Sequence, residues 1–525
     1  MGARSGMFAF LRALAGIAFE VVFFWQLRLY HYIMTPSPQD ELRTRMAEAT
    51  SFEEWEAAAF ELDELLGYDL WCQTPSSRHY DYRLINTRLT TLLSLLEPPL
   101  HIPSLIALIR SGLVRNLANI THPALYTHAH AGTKLLIEDY ITHTALAIEA
   151  LAAYPPDELL PPQAKLDVLH DARQALGRSA LVFAPADPPF ALCHLGVVRA
   201  LYFRGLLPRI LCGNGIGALV GALVGSLSDD ELVPFLDGLS ASLAALADED
   251  GSGPESWARM LHRHARGARV LDASVLEALV RQRVRLLSFE DAYARTKRVV
   301  NITVGGCLLN YLTAPNVLLA SAALASLDPE SALVTKPGTP AYTPTVPALA
   351  APLTRLASLF NATHFMLSHP PTLLPSPAHP RSRFPTLAGL LAAEVGHRIE
   401  QADTLGLIPT SLRGALLPEH VPGAVVGLVS RPGALASWMG CGLGEGSGDV
   451  DCWVREGERA VWPSVPALRV RCAVEVELER GYQAVRRWKV AGEGEGGKGL
   501  GSGGGRRRGR ALSFGGAEEG GGYRG

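Results

Sequence analysis

The chain has 525 residues, of which 48% are hydrophobic and 19% charged, and 48 Lys and Arg against 51 Asp and Glu leave a formal net charge of -3. That apolar content excludes a mostly disordered chain, the near-neutral balance argues against a dedicated nucleic-acid binder, and the length suggests about three ordinary domains or one large domain with attachments. Seven cysteines (Cys72, Cys193, Cys212, Cys307, Cys441, Cys452, Cys472) form no C-x-x-C pair, so they read as free thiols rather than a disulfide framework or a zinc site.

Residues 7–25, MFAFLRALAGIAFEVVFFW, are long enough to cross a bilayer, but Arg12 and Glu20 interrupt them. A charge at mid-membrane costs roughly 2.5–3.5 kcal/mol on insertion scales. No small-residue cleavage site closes the run as a signal peptide requires. The segment reads as a helix lying in a lipid surface, anchored by Phe19, Phe23, Phe24 and Trp25. A span with Arg12 snorkelling to the interface stays open, as does packing on the protein's own core.

Residues 35–40, TPSPQD, are a linker, with Asp40 placed to cap the next helix. Apolar residues at helical spacing follow at Leu42, Met46, Phe52, Trp55, Ala59, Leu62, Leu65 and Leu66, and Ser51 with Glu54 matches a capping box. Helical patterns continue through 84–96, 103–117 and 134–153, so 41–165 reads as all-helical. The period then changes. Short apolar runs at 180–183, 210–211, 299–304 and 364–368 read as buried strands, with helices at 194–204 and 218–226. Strands alternating with helices over 180–400 predict an α/β domain with a mainly parallel sheet. Helical character returns at 396–420 and 453–490. The last segment, 491–525, holds 16 glycines in 35 residues plus Arg506, Arg507 and Arg508, and reads as a disordered, solvated tail.

The stretch HLGVVRALYFRGLLPRILCGNGIGALVGALVG (194–225) resembles the core of patatin-like lipid hydrolases. The resemblance is to the triacylglycerol lipases of fungi and plant seeds, which carry a helical domain ahead of the patatin fold. Further blocks agree in order: FEEWEAAAFELDELLG (52–67), YDYRLINTRL (80–89), 110–137, LLNYLTAPNV (308–317), RLASLFNATHFMLS (355–368) and 454–472. The resemblance implies a three-layer patatin-like domain over 166–420. Before it come a lipid-associating segment (1–34) and a helical domain (35–165), and after it a helical extension (421–490) and the tail (491–525). It implies lipid ester hydrolysis by a serine–aspartate pair without metal or cofactor.

The residues that such chemistry needs are missing. The serine of the family's G-x-S-x-G turn corresponds to Gly215 in Gly213-Asn214-Gly215-Ile216-Gly217, and a hydrogen cannot attack an ester. Glycine adopts the strained backbone of such a turn freely, which relieves roughly 1–3 kcal/mol. The oxyanion loop corresponds to 186–191, where Pro188 and Pro189 have no N–H to donate and Asp187 adds unwanted negative charge. The aspartate position corresponds to Thr343 or Pro344, and no Asp occurs between Asp328 and Asp403. Stand-ins are weak: Asp250-Gly251-Ser252 reads as a surface turn, Cys212 as the buried end of a strand, and His194 as a cap or packed residue.

Three readings follow. One is a pseudoenzyme that binds a lipid surface or regulates an active patatin-like relative. Another is an active hydrolase with an unrecognised nucleophile. The third is a decayed or mis-assembled version of an active protein, motivated by a short 303–308 segment and an inserted-looking 439–451. The expected location is a membrane or lipid droplet, or the endoplasmic reticulum, on the cytosolic face. The expected partner is a neutral-lipid or phospholipid surface, not nucleic acid.

Overall fold

The computed structural model describes residues 37–155, 160–186, 190–239, 273–284, 286–328, 332–340, 342, 351–370, 421–429 and 448–496, with single positions in 20–28 and 390–405. Phe19, Asp187, Pro188, Pro189, Thr343, Pro344 and the Asp250-Gly251-Ser252 turn lie outside the described residues.

The N-terminal region is helical: Pro38–Glu48, Phe52–Leu65, Tyr68–Gln73, Tyr82–Leu96, Ile102–Gly112, Leu135–Ala153 and Pro162–Leu176. Ser37, not Asp40, caps the first helix: its hydroxyl accepts the Asp40 N–H at 3.2 Å, which places Asp40 inside the first turn. Ser51 accepts the Glu54 N–H at 3.3 Å, while the Glu54 carboxylate reaches one residue further back, to the Thr50 N–H at 2.9 Å. The core of this region includes Ile85, Leu105, Ile137, Ile148 and Leu169. It is completed by Val470, Val474 and Leu478 from the long C-terminal helix Val465–Gly496. That helix continues into the Gly-rich segment read as tail.

The second region is an α/β domain with, among the described residues, six strands: β1 (Arg178–Phe183), β2 (Ile210–Asn214), β3 (Val299–Val304), β4 (Cys307–Leu309), β5 (Ala362–Ser368) and β6 (Ala424–Leu428). Their order is β4-β3-β2-β1-β5-β6, parallel throughout except for the antiparallel edge strand β4. Four strands match the sequence expectation. β6 lies past residue 420, so a sheet strand begins the segment read as a helical extension. The order reverses at β1, with β2 on one side and β5 on the other, so the carboxyl ends of β1, β2 and β5 form the place where such sheets hold ligands.

Helices cover both faces. On one, Leu181 and Leu211 pack with Phe190–Phe203 and Ile216–Ser226; on the other, Val182, Cys212 and Phe365 pack with Leu353, Leu356 and Phe360. The helix Gly448–Val461 lies almost in backbone contact with Phe190–Phe203. A Cβ on Gly196 would sit 1.9 Å from the Val454 carbonyl oxygen, and one on Gly457 2.1 Å from that of Cys193. Cys72, Cys193, Cys212, Cys307 and Cys472 form no disulfide, but Cys452 is disulfide-bonded, against the free-thiol expectation.

Candidate active-site elbow

The chain leaves β2 at Asn214, turns at Gly215, and enters the helix Ile216–Ser226 with no intervening loop. Gly215 has φ 59° and ψ -126°, a region that L side chains rarely enter. The flanking glycines are fixed by space. A Cβ at Gly213 would lie 2.3 Å from the Gly217 carbonyl oxygen, and one at Gly217 would lie 2.5 Å from the Phe183 carbonyl oxygen. At Gly215 the nearest atom to an added Cβ is Pro185 Cβ at 3.4 Å, so this position has room for a side chain and carries none. All eleven residues of the elbow helix are buried, so its N-terminal dipole points out of a low-dielectric interior.

One side chain that sequence reading missed holds the turn. The Gly215 N–H donates to Ser326 Oγ at 2.8 Å, and Ser326 donates onward to the Thr303 carbonyl at 2.7 Å. Ser326 lies in the helix Leu319–Leu327, 111 residues away along the chain, and no local motif marks it. Its proton is committed to a backbone carbonyl, so it braces the elbow.

His194 sits beneath the same end of the sheet, fully buried between Phe183 and Phe190. Its Nε2 is 3.2 Å from the Ala184 carbonyl oxygen, which only accepts, so Nε2 carries the proton. Nδ1 then accepts from the Ser368 hydroxyl at 2.7 Å. Both nitrogens are occupied, and burial pushes the pKa down to about 3. His194 is thus a neutral cross-link between β1, β5 and the helix Phe190–Phe203, the packed role expected of it. Cys212 faces the sheet side opposite the elbow helix and is buried there.

A doubly covered, mainly parallel sheet whose second strand turns in one residue into a buried helix is the strand–turn–helix elbow of a hydrolase-type α/β domain. Residues 190–333 match the family model for patatin-like phospholipases, and residues 32–174 match a domain of unknown function (DUF3336). Triacylglycerol lipase ptl1 of Schizosaccharomyces pombe is 32% identical over 461 residues, 82% of this chain and 82% of the relative. Triacylglycerol lipase 4 of Saccharomyces cerevisiae is 32% identical over 353 residues, 62% of this chain and 38% of the relative. Triacylglycerol lipase ptl3 of S. pombe is 30% identical over 295 residues, 55% of this chain and 60% of the relative. The chain therefore spans less than two thirds of the last two relatives. No solved structure matches it. The chain belongs to the patatin-like triacylglycerol lipase family.

The elbow geometry makes a prediction about stability. Gly215→Ser folds and loses roughly 1–3 kcal/mol, the cost of a side chain at this φ and ψ. Gly217→Ala, which drives a methyl into the Phe183 backbone, loses more. Urea unfolding midpoints check the order, and a Gly217→Ala protein as stable as the parent contradicts it. A second prediction concerns pH. An unfolded histidine titrates near 6.5, well above folded His194, so the unfolded chain binds more protons between those values. Stability present above about pH 6.5 is lost as pH falls toward 3. His194 alone accounts for about 2 kcal/mol between neutrality and pH 5, and burial lowers His364 and His369 in the same direction. His194→Asn flattens the slope of stability against pH, and an unchanged slope contradicts the assignment.

Proposed function

We propose that this chain is a lipid-surface-binding member of its family that has lost ester hydrolysis and acts as a regulatory pseudoenzyme. Gly215 carries the reading: the turn keeps the backbone shape that presents a nucleophile, with space for a side chain, yet holds none. The sequence at the other two elements agrees. Pro188 and Pro189 withhold two backbone donors where a tetrahedral oxyanion needs them, and removing even one such donor typically costs roughly a hundred- to a thousandfold in rate. Neither Thr343 nor Pro344 supplies a carboxylate to orient a nucleophile. Pro185 and Ser326, which frame the elbow, hold no general base.

The lipid contact rests on the N-terminus. Phe23, Phe24 and Trp25 are helical and each more than half exposed, a cost that burial in an acyl layer reverses by roughly 1.5–3 kcal/mol per large apolar side chain. Among the described residues no helix is long and apolar enough to cross a membrane. The proposed site of action is the cytosolic face of a lipid droplet or the endoplasmic reticulum, beside an active patatin-like relative.

Purified protein assayed on triolein and on a phospholipid is expected to stay at the blank, and so is Gly215→Ser, because one hydroxyl restores neither the acid nor the oxyanion donors. Turnover by the parent above blank overturns the reading. In flotation with lipid droplets the intact chain rises with the lipid and a chain lacking residues 1–34 stays behind. Equal flotation of both removes the N-terminus from the account.

A further inference from the structure

The near-neutral net charge hides an uneven distribution. Residues 480–525 hold ten Lys and Arg against four Glu, while residues 1–479 hold 38 against 47. The folded start of this basic end is the last part of the helix Val465–Gly496. Leu478 and Val485 anchor it in the core of the helical region, and a Cβ on Gly481 would lie 3.1 Å from Ala152 Cβ. Its solvent side carries Arg480, Ala484, Arg487 and Trp488, at the i, i+4, i+7 and i+8 spacing that lines residues up along one side of a helix, and all four are exposed. Arg486 is exposed on the flank.

The acidic neighbours leave this face cationic. Glu477 pairs with Arg480 at 2.6 Å, and Glu479 pairs with Arg173 at 2.8 Å. Lys489 donates to Gln163 Oε1 at 2.7 Å. Arg486 and Arg487 form no ion pair among the described residues. Beside them Trp488 is 54% exposed. An indole left in water is unfavourable, but at a bilayer interface its apolar body meets the acyl boundary while its N–H stays among the headgroups. Arginines next to it bind phosphate in a bidentate manner and keep their stems against apolar surface. Single-stranded nucleic acid also answers positive charge, but it is held in grooves with successive stacking aromatics. Here one helix side presents one indole, which suits a flat surface.

We infer that this helix end docks on a bilayer surface carrying anionic phospholipid, with Arg480, Arg486 and Arg487 on the headgroups and Trp488 at the interface. The contact is separate from residues 1–34 and from the elbow. It responds to surface charge, whereas the N-terminal anchor responds to apolar lipid, so the two can fail separately.

Co-sedimentation of the full-length protein with phosphatidylcholine vesicles, with and without phosphatidylserine, tests it. Phosphatidylserine is expected to tighten binding at least roughly tenfold, since each cation near an anionic membrane surface is worth roughly fivefold. Arg486→Gln combined with Arg487→Gln removes most of that gain, and Arg486→Lys combined with Arg487→Lys keeps it. Trp488→Ala weakens binding to the anionic vesicles roughly tenfold. All three positions are exposed, so every variant keeps the parent's thermal midpoint. A gain from phosphatidylserine with no binding to phosphatidylcholine alone supports this contact and counts against the N-terminal anchor. The inference is overturned if phosphatidylserine brings no gain, if the glutamine pair keeps the gain, if the lysine pair loses as much as the glutamine pair, or if Trp488→Ala binds like the parent. Polyuridylate bound more tightly than the anionic vesicles, and lost in the glutamine pair, assigns the face to nucleic acid and overturns it as well.

Discussion

The molecule is organised around a turn that has no room for error. Between β2 and the helix Ile216–Ser226 the backbone reverses at a single residue, and the elements pack so closely that neither Gly213 nor Gly217 accommodates a methyl group. The helix that follows is buried on every side, against β1, β2 and β3 on one hand and the helix Leu319–Leu327 on the other. That burial is possible because small residues recur along it: a Cβ on Gly225 would lie 2.0 Å from Val300 Cγ2. The elbow is thus maintained by packing rather than by catalysis. Glycine at its centre adopts the turn's backbone without the strain that a side chain would carry there.

The same logic links the two regions of the chain. The C-terminal helices cross from one to the other: Gly448–Val461 lies on the helix Phe190–Phe203 through the Gly196 and Gly457 contacts, and Val465–Gly496 closes the core of the helical region. Arg115, Ser179, His364 and Glu475 form the polar seam between them, which ties the amino ends of β1 and β5 to the long helix. The catalytic end of the sheet and this seam lie at opposite ends of the strands.

Much of this was legible in the sequence, for identifiable reasons. β1, β2, β3 and β5 are continuous apolar runs because both faces of a parallel sheet are covered. The Gly213, Gly215 and Gly217 spacing announced the turn, since each glycine answers a separate steric demand. β6 escaped notice because Ala424 and Val425 are exposed at a sheet edge and carry no buried pattern. β4 escaped because it spans three residues, although Gly305 and Gly306, with φ 54° and 80°, are a hairpin signal. Asp40 reads as a cap in the sequence, but Ser37 provides it three residues earlier, ahead of the proline that starts the helix. Ser326 at the elbow and the pairing of Arg115 with the backbone of Arg471 across 356 residues are tertiary facts with no local trace. Of the positions that the resemblance assigns to catalysis, Asp187, Pro188, Pro189, Thr343 and Pro344 lie outside the described residues, and Gly215 lies within them at a left-handed turn.

The central claim is that no activated serine sits at this elbow. Intact-mass measurement after incubating the full-length protein with a fluorophosphonate that modifies activated serines tests it most directly. The account predicts an unmodified mass. A stoichiometric adduct, above all one mapping to Ser326 beside Gly215, would show that the elbow recruits a nucleophile from a neighbouring helix and would contradict it.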